Sequence, residues 1–404
     1  MTKSLVVVFF CLCSLSLFAS TFRPESLTPD QWKEDIEFLK VNLFKTHPDP
    51  FFKTSEIEIS SAMETLQSRI EGLEWFEIYS ELTRIVALIG DGHTAIHTSP
   101  MLNRYPVYPY VFSDGVYIIA TDEAHLGLVN TKILQVGGFS TEEAFDRLSV
   151  FVAHDNDWGL KETAPNYFIT AEIMRAAGLA NGRGELEIVV EKDEEIFTST
   201  ITPVEGEISL LQERIGNTEK RMQNENYWYE YCPDSRILHF HFRRCQSQKG
   251  KPFLFFNFDM FSFIRKNPVE KLVLDIRQNG GGNSLLLEPF MLRVMFDRKL
   301  NREGKLFVAI DRGTFSSAIL NAISMSKRTK SIFVGEPTGG SPVHYGEVRK
   351  LTLPNSRIQV SCSTVLWKTT SDTSEAFMPD ILIERTFEDY YLMMDRVIEA
   401  IRSF

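Results

Sequence analysis

The sequence predicts an α/β protein in three parts: a helical N-terminal region, a β-rich module, and a C-terminal layer of alternating strands and helices. Three observations carry this. From about Tyr227 onward, apolar strand-like runs alternate with amphipathic segments, the order that builds a sheet covered by helices. Residues 28–89 instead place apolar side chains at helical spacing. Between them, about 100 to 203, the texture changes to β-branched and aromatic runs broken by Gly and Asp turns.

At 404 residues the chain suits two or three domains. With 43% hydrophobic and 24% charged residues it belongs to the soluble globular class. A formal charge of −11, with no basic cluster, argues against nucleic acid or an anionic membrane as the main partner. Residues 1–20 read as a signal peptide: Lys3 supplies the positive start, Leu5 to Leu17 an apolar run interrupted by Ser14 and Ser16, and Ala19 and Ser20 the small residues before a cut. An uncleaved N-terminal anchor is the alternative. Cys11 and Cys13 lack the preceding small residue of a lipoprotein signal. No later stretch is apolar enough to span a bilayer, so the expectation is an exported protein, periplasmic or secreted, with no stable membrane insertion after cleavage. Cys232, Cys245 and Cys362 are too few and too odd in number for a disulfide framework, although Cys232 and Cys245 could bridge across a hairpin.

Taken in order, 21–99 is the helical domain. Thr28 caps a first helix whose face is Trp32, Ile36, Leu39 and Leu43, and His47-Pro48-Asp49-Pro50 ends it. Two more helices follow near 60–70 and 74–89, closing at Gly90-Asp91-Gly92-His93-Thr94. In the 100–205 module, strands are expected at 116–119 and 132–136. Ser140 and Glu143 form a capping box for a short helix, and 185–190 pairs with 195–201 as a hairpin. In 206–404, strands are expected at 237–242, 272–276, 306–310, 332–335 and 358–367, and helices at 252–266, 284–296, 316–326 and 386–401. There is no internal repeat.

Two junctions in the last part could carry chemistry. At Asp311-Arg312-Gly313-Thr314-Phe315-Ser316-Ser317-Ala318 a strand runs into a helix. A serine at such a turn can project its hydroxyl from the packed layer beside free helical N–H groups; it can equally be a plain N-cap, as Thr314 or Ser316 would be. At Asp275-Ile276-Arg277-Gln278-Asn279-Gly280-Gly281-Gly282-Asn283 a strand runs into three glycines. These suit a phosphate cradle, an oxyanion hole or a flexible loop, but the spacing fits neither known phosphate-binding glycine pattern.

Together with Val334-Gly335-Glu336-Pro337-Thr338-Gly339-Gly340 and the Gly90–Thr94 turn, these stretches resemble the tail-specific (C-terminal-processing) serine protease family, in its tricorn-core-protease-like branch. The resemblance runs from about Thr28 to the C-terminus. It implies a crotonase-like α/β catalytic core, the N-terminal helical domain, and a PDZ-like module at 100–205. It makes Ser316 the nucleophile, with Ser317 and Gly281 as the backbone donors of the oxyanion hole. The position where the processing enzymes carry a lysine base is Ser341 here, so a Ser/Lys mechanism is ruled out at that position. The tricorn-like branch uses a histidine oriented by a carboxylate, which assigns His93 as base. Glu375 matches the carboxylate best, with Asp372 the competing choice and Asp380 structural. Histidine suits the task because it titrates near neutral pH and needs a partner to fix its tautomer.

The other histidines are read as structural. His239 and His241 share one face of a strand without a third ligand at metal spacing, His97 would pair with His93 only if the helix continued past the Gly90-Asp91-Gly92 break, and His344 stands beside the cleft. The phenylalanines of 253–263 are read as core. The leading expectation is an exported serine peptidase using Ser316, His93 and Glu375 on peptide or protein substrates, with no metal or cofactor. A non-catalytic binding protein on the same fold is the alternative, favoured by the missing lysine and by Ile319, where the family commonly has glutamate. An esterase is a third reading.

Overall fold

The structure, a computed structural model, describes residues 6–8, 26–97, 102–206, 208–212 and 224–404. The expected signal peptide lies outside these apart from Val6–Val8, a short strand paired with Leu210–Gln212. No helix among the described residues is long and apolar enough to cross a membrane. The chain forms two compact units, one of 1–154, 163–213 and 345–367, the other of 155–162, 214–344 and 368–404.

In the first unit, helix Pro29–Thr46 starts where Thr28 and Gln31 close a capping box, and it buries Trp32, Ile36, Leu39 and Leu43. Helices Glu56–Arg69 and Trp75–Ala87 follow, the latter burying Phe76, Tyr79, Leu82, Ile85 and Val86. An eight-stranded sheet contains Val107–Phe112, Gly115–Thr121, Lys132–Val136, Leu186–Lys192 and Glu195–Ile201. The last two form the expected hairpin. Its turn residues Asp193 and Glu194 both lie at positive φ, 51° and 68°, as a two-residue turn between twisted strands requires. Ser140 and Glu143 cap helix Thr141–Ser149 as read.

The strands His344–Thr352 and Gln359–Trp367 extend this unit from late in the sequence. Gln359–Trp367 pairs with Ala95–Ile96, and the buried Asp35 carboxylate accepts from the N–H groups of Asn355 (2.8 Å) and Ser356 (2.7 Å). Those bonds tie 345–367 to the first helix, whereas sequence order alone groups this stretch with the C-terminal core.

The second unit is built on a six-stranded sheet: Tyr227–Cys232, Ile237–Phe242, Lys271–Asp275, Leu306–Ile310, Ile332–Gly335 and Ile381–Leu382. The first pair is antiparallel and the rest parallel. All of Leu306–Ile310 is buried, as a parallel strand covered on both faces must be. Phe240, Leu272, Leu274, Leu306, Val308 and Ile310 pack with Phe256, Met260, Phe290 and Ala322 of the covering helices. Val273, Phe307, Ala309 and Val334 pack on the other face with Val397 and Ile401.

Two details differ from the sequence reading. In helix Phe253–Lys266, Phe253, Phe256 and Phe261 are core, but Phe255 and Phe258 are 70% and 60% exposed, because a run of aromatics around a helix cannot all face one sheet. The expected helix 386–401 is two, Phe387–Tyr391 and Arg396–Ser403, broken at Met393 with φ 57°. Asp395 caps the second one and takes both guanidinium nitrogens of Arg277, at 3.0 and 2.8 Å, which fixes the break. Cys232, Cys245 and Cys362 are free thiols.

Candidate active site

The strand Leu306–Ile310 is followed by a turn closed by local hydrogen bonds and tied to the neighbouring strand end. Thr314 N–H donates to Asp311 O (2.8 Å), and Asp311 N–H donates to Thr314 Oγ1 (3.1 Å). Thr314 Oγ1 donates on to Ile276 O (2.9 Å), so this hydroxyl serves the turn and not the helix. Ser316 then takes φ 53° and ψ −127°, a region that L-residues rarely adopt. Helix Ser317–Arg328 starts at the next residue, and the Ser316 side chain makes no capping bond to it. Among the described residues nothing accepts from the Ser317 N–H, an open donor at the first turn.

The glycine loop lies against this turn. Phe315 N–H donates to Asn279 O (3.0 Å), and Gln278 donates twice to the Asp311 carboxylate, through its N–H (2.8 Å) and Nε2 (2.9 Å). Gly281, at φ 102°, approaches so closely that a Cβ there would stand 2.7 Å from Ser316 Cβ and 2.9 Å from Ser317 N. Only glycine fits, on both grounds. Its N–H donates to Asn279 Oδ1 (3.0 Å), and Ser317 Oγ donates to Gly282 O (2.6 Å).

The Gly335–Gly340 motif closes the same turn. A Cβ on Gly340 would meet the Phe315 ring at 2.8 Å, and one on Gly339 would meet Arg312 O at 2.1 Å. Ser341 Oγ, at the position the family gives to lysine, donates to Glu375 O (2.8 Å). Asn156 Nδ2 joins Thr338 O (3.2 Å) to the same Glu375 carbonyl (2.6 Å). Sequence reasoning overlooked the 155–162 segment, whose Glu162 also pairs with Arg312 Nε at 3.1 Å. Burial pushes the Glu162 and Glu336 carboxyls up, and the Arg312 charge between them offsets part of that. The structure thus brings together Ser316, Ser317 and Gly281, and it ties the Glu375 carbonyl to Ser341 and Asn156. The Glu375 side chain is exposed, as is Asp372, whose carboxylate accepts from Ser374 N–H (2.9 Å) and is held below its ordinary value by Ser374.

His93 belongs to the first unit, on the turn between helix Trp75–Ala87 and strand Ala95–Ile96. Its anchor is Asp91, which the sequence reading took for a turn residue. The buried Asp91 carboxylate accepts from His93 N–H (3.0 Å), Thr94 Oγ1 (2.6 Å) and Ser363 Oγ (2.5 Å), with His47 Nε2 at 3.3 Å and His93 Nδ1 at 3.7 Å. Burial alone would raise this carboxyl, but the bonds from His47, His93 and Ser363 hold it below its ordinary value. Tyr345 packs against His47 with the rings tilted by 47° and their centroids 4.6 Å apart.

The remaining histidines are engaged. His97 Nε2 lies 3.0 Å from Ser361 Oγ, and His344 Nδ1 lies 2.8 Å from Ser341 O. His239, His241 and Asp275 lie close enough to hold a metal ion. Their chemistry does not suit one: Arg243 and Arg277 each grip both Asp275 oxygens, at 2.7 to 3.0 Å, and would repel a cation. Burial and the neighbouring His239 hold His241 neutral.

No protein-family model matches the chain, and no curated protein matches it in sequence. Solved structures do share its fold. Mature CPAF complexed with lactacystin aligns with a TM-score of 0.65 at 12% identity, over 93% of this chain and 99% of that one. Mature CPAF alone gives 0.64 at 12% identity, over 94% and 98%. The photosystem II D1 C-terminal processing protease aligns at 0.43 and 13% identity, over 93% and 97%. At 12% identity the likeness to the two CPAF structures is one of fold: a mixed α/β chain with a helical N-terminal region and several sheets.

Proposed function

We propose that the chain is an exported serine peptidase of the tail-specific type, in its histidine-dependent branch. Ser316 Oγ attacks the peptide carbonyl carbon while the His93 imidazole takes its proton. The resulting oxyanion is held by the N–H groups of Ser317 and Gly281; its full charge displaces the neutral Asn279 amide oxygen from Gly281. His93 returns the proton to the leaving amine, and water then releases the acyl group by the same route. Glu375 supplies the carboxylate that steadies the imidazolium, with Asp372 the weaker candidate. Residues 21–99 would serve as the helical domain, 100–205 as the PDZ-like module and 206–404 as the crotonase-like core. The module would take a peptide as an added strand, and the edge strand Glu195–Ile201 keeps Ile196 63% exposed there.

The observation that carries this reading is the Ser316 backbone. Its conformation costs about 1–3 kcal/mol and gives nothing back to the helix, since the side chain does not cap it. A binding protein with no chemistry to perform leaves that strain without a purpose. The test is a fluorophosphonate probe on the purified protein, read by peptide mass mapping. Ser316 should carry the adduct, and Ser316→Ala should lose both label and peptide turnover with its unfolding curve preserved. A label on Ser317, or none, would remove the proposed nucleophile.

A further inference from the structure

A cleft of ≈ 560 Å³ opens beside the glycine loop, lined by Arg244, Gln246, Ser247, Gln278, Asn283 and the backbone of Gly280 to Gly282, among others. It lies within the roughly 300–1,000 Å³ range of ligand sites. One wall is an extended segment locked to the glycine loop: Cys245 N–H donates to Gly281 O (3.0 Å), and Asn283 N–H donates to Cys245 O (2.7 Å). Side chains alternate along such a segment. Arg243 and Cys245 are buried, 4% and 1% exposed, and Arg243 is consumed by Asp275. Arg244 and Gln246 therefore face outward into the cleft.

Arg244 is different from its neighbour. Among the described residues it has no ion pair and no side-chain hydrogen bond. Among the described residues no Asp or Glu lines the cleft, in a chain with 54 acidic residues against 43 basic ones. Besides Arg244, the buried Arg243 and Cys245, and Leu286, the lining side chains are the neutral amides of Gln246, Gln278 and Asn283 and the Ser247 hydroxyl, able to donate to an anion without repelling it. Gly281 lines the cleft and packs against Ser316. A group bound here sits next to the bond under attack.

We propose that this cleft is a carboxylate subsite in which Arg244 pairs with an acidic group of the peptide flanking the scissile bond. The inference rests on the peptidase reading for its reacting atoms, but not for the binding itself. The carboxylate can be an Asp or Glu side chain or a free C-terminus, since a guanidinium fork recognises both.

The test uses the full chain and four otherwise identical fluorogenic peptides: Glu or Gln at positions flanking the cleaved bond, each with a free acid or an amide C-terminus. A charge-assisted pair predicts a kcat/KM preference of about 10–100-fold for the peptide bearing the carboxylate. Preference for Glu over Gln identifies a side chain; preference for acid over amide identifies a terminus. In Arg244→Gln the preference should collapse towards one, and in Arg244→Glu it should reverse. A preference that survives in Arg244→Gln, or none in the parent protein, overturns the subsite and leaves the peptidase reading standing. Binding of the same peptides to Ser316→Ala, by fluorescence anisotropy, separates the two readings. Arg244-dependent binding without turnover in the parent supports the subsite and sinks the peptidase reading, and absence of both binding and turnover sinks both.

Discussion

Ser316 and His93 both sit where a helix meets a strand, yet the two turns are held by opposite means. Ser316 is held by backbone: a left-handed φ, a glycine packed within contact of its Cβ, and hydrogen bonds between main-chain groups and Asp311. His93 is held by one buried carboxylate that also serves His47, Thr94 and Ser363. The first device is intolerant of a methyl group. The second fails when Asp91 loses its charge.

The largest effect tests whether the two turns act as one unit. His93→Ala should lower kcat/KM by on the order of 10⁴-fold or more, as loss of the serine does, because members of such a set do not contribute separately. A fully active His93→Ala enzyme would falsify histidine as base.

Gly281→Ala comes next. The added Cβ meets Ser316 and Ser317 within 3 Å at a φ of 102°, so the oxyanion donor must shift. Activity should fall by about 10²–10³-fold, the range for loss of one such donor. Equal loss at every pH is the expected signature of the backbone-held turn; a loss confined to acid would contradict it.

Asp91→Asn should behave differently. We expect roughly tenfold lower activity and about 1–3 kcal/mol lower stability, since hydrogen bonds to a charged group are weakened. The folded-state pKa of Asp91 is depressed. Its stabilisation is therefore fully present above the ordinary carboxylate pKa, about 4, and is lost as pH falls below that towards the folded value. Urea titrations of parent and variant should differ by a constant amount at pH 6 to 8 and converge below about pH 4. A gap that widens in acid would mean that Asp91 is not the anchor.

The change with the least effect on stability separates the two carboxylates proposed to steady His93. Glu375→Gln should reduce kcat by about 10²-fold or less with little change in stability, given its exposed side chain, and Asp372→Asn should be near neutral. The reverse order reassigns the carboxylate.

The elements that carry Ser316 and Gly281 were legible in the sequence because each is a strand ending in a turn with distinctive residues. The strain at Ser316 was not: its φ is set by Gly281 and the Asp311 turn, which the sequence places apart. Asp91 was missed for a related reason. Flanked by glycines it reads as a turn former, and the partners that make it an anchor, His47 and Ser363, lie 44 and 272 residues away. The long-range bonds of Asn156 to Thr338 and Glu375 were equally invisible. Arg244 gave no signal as one arginine of a pair; only the burial of Arg243 sets it apart.

The backbone of Ser316 also bears on how the molecule unfolds. A domain is stable by only about 5–15 kcal/mol, so about 1–3 kcal/mol stored at one residue is a sizeable share of its resistance to heat. Glycine at 316 has no Cβ to object to that φ, and the same change deletes the hydroxyl. The most inert form of this turn is therefore also its most durable one, and a melting curve, blind to chemistry, reports on the same residue that a covalent probe does.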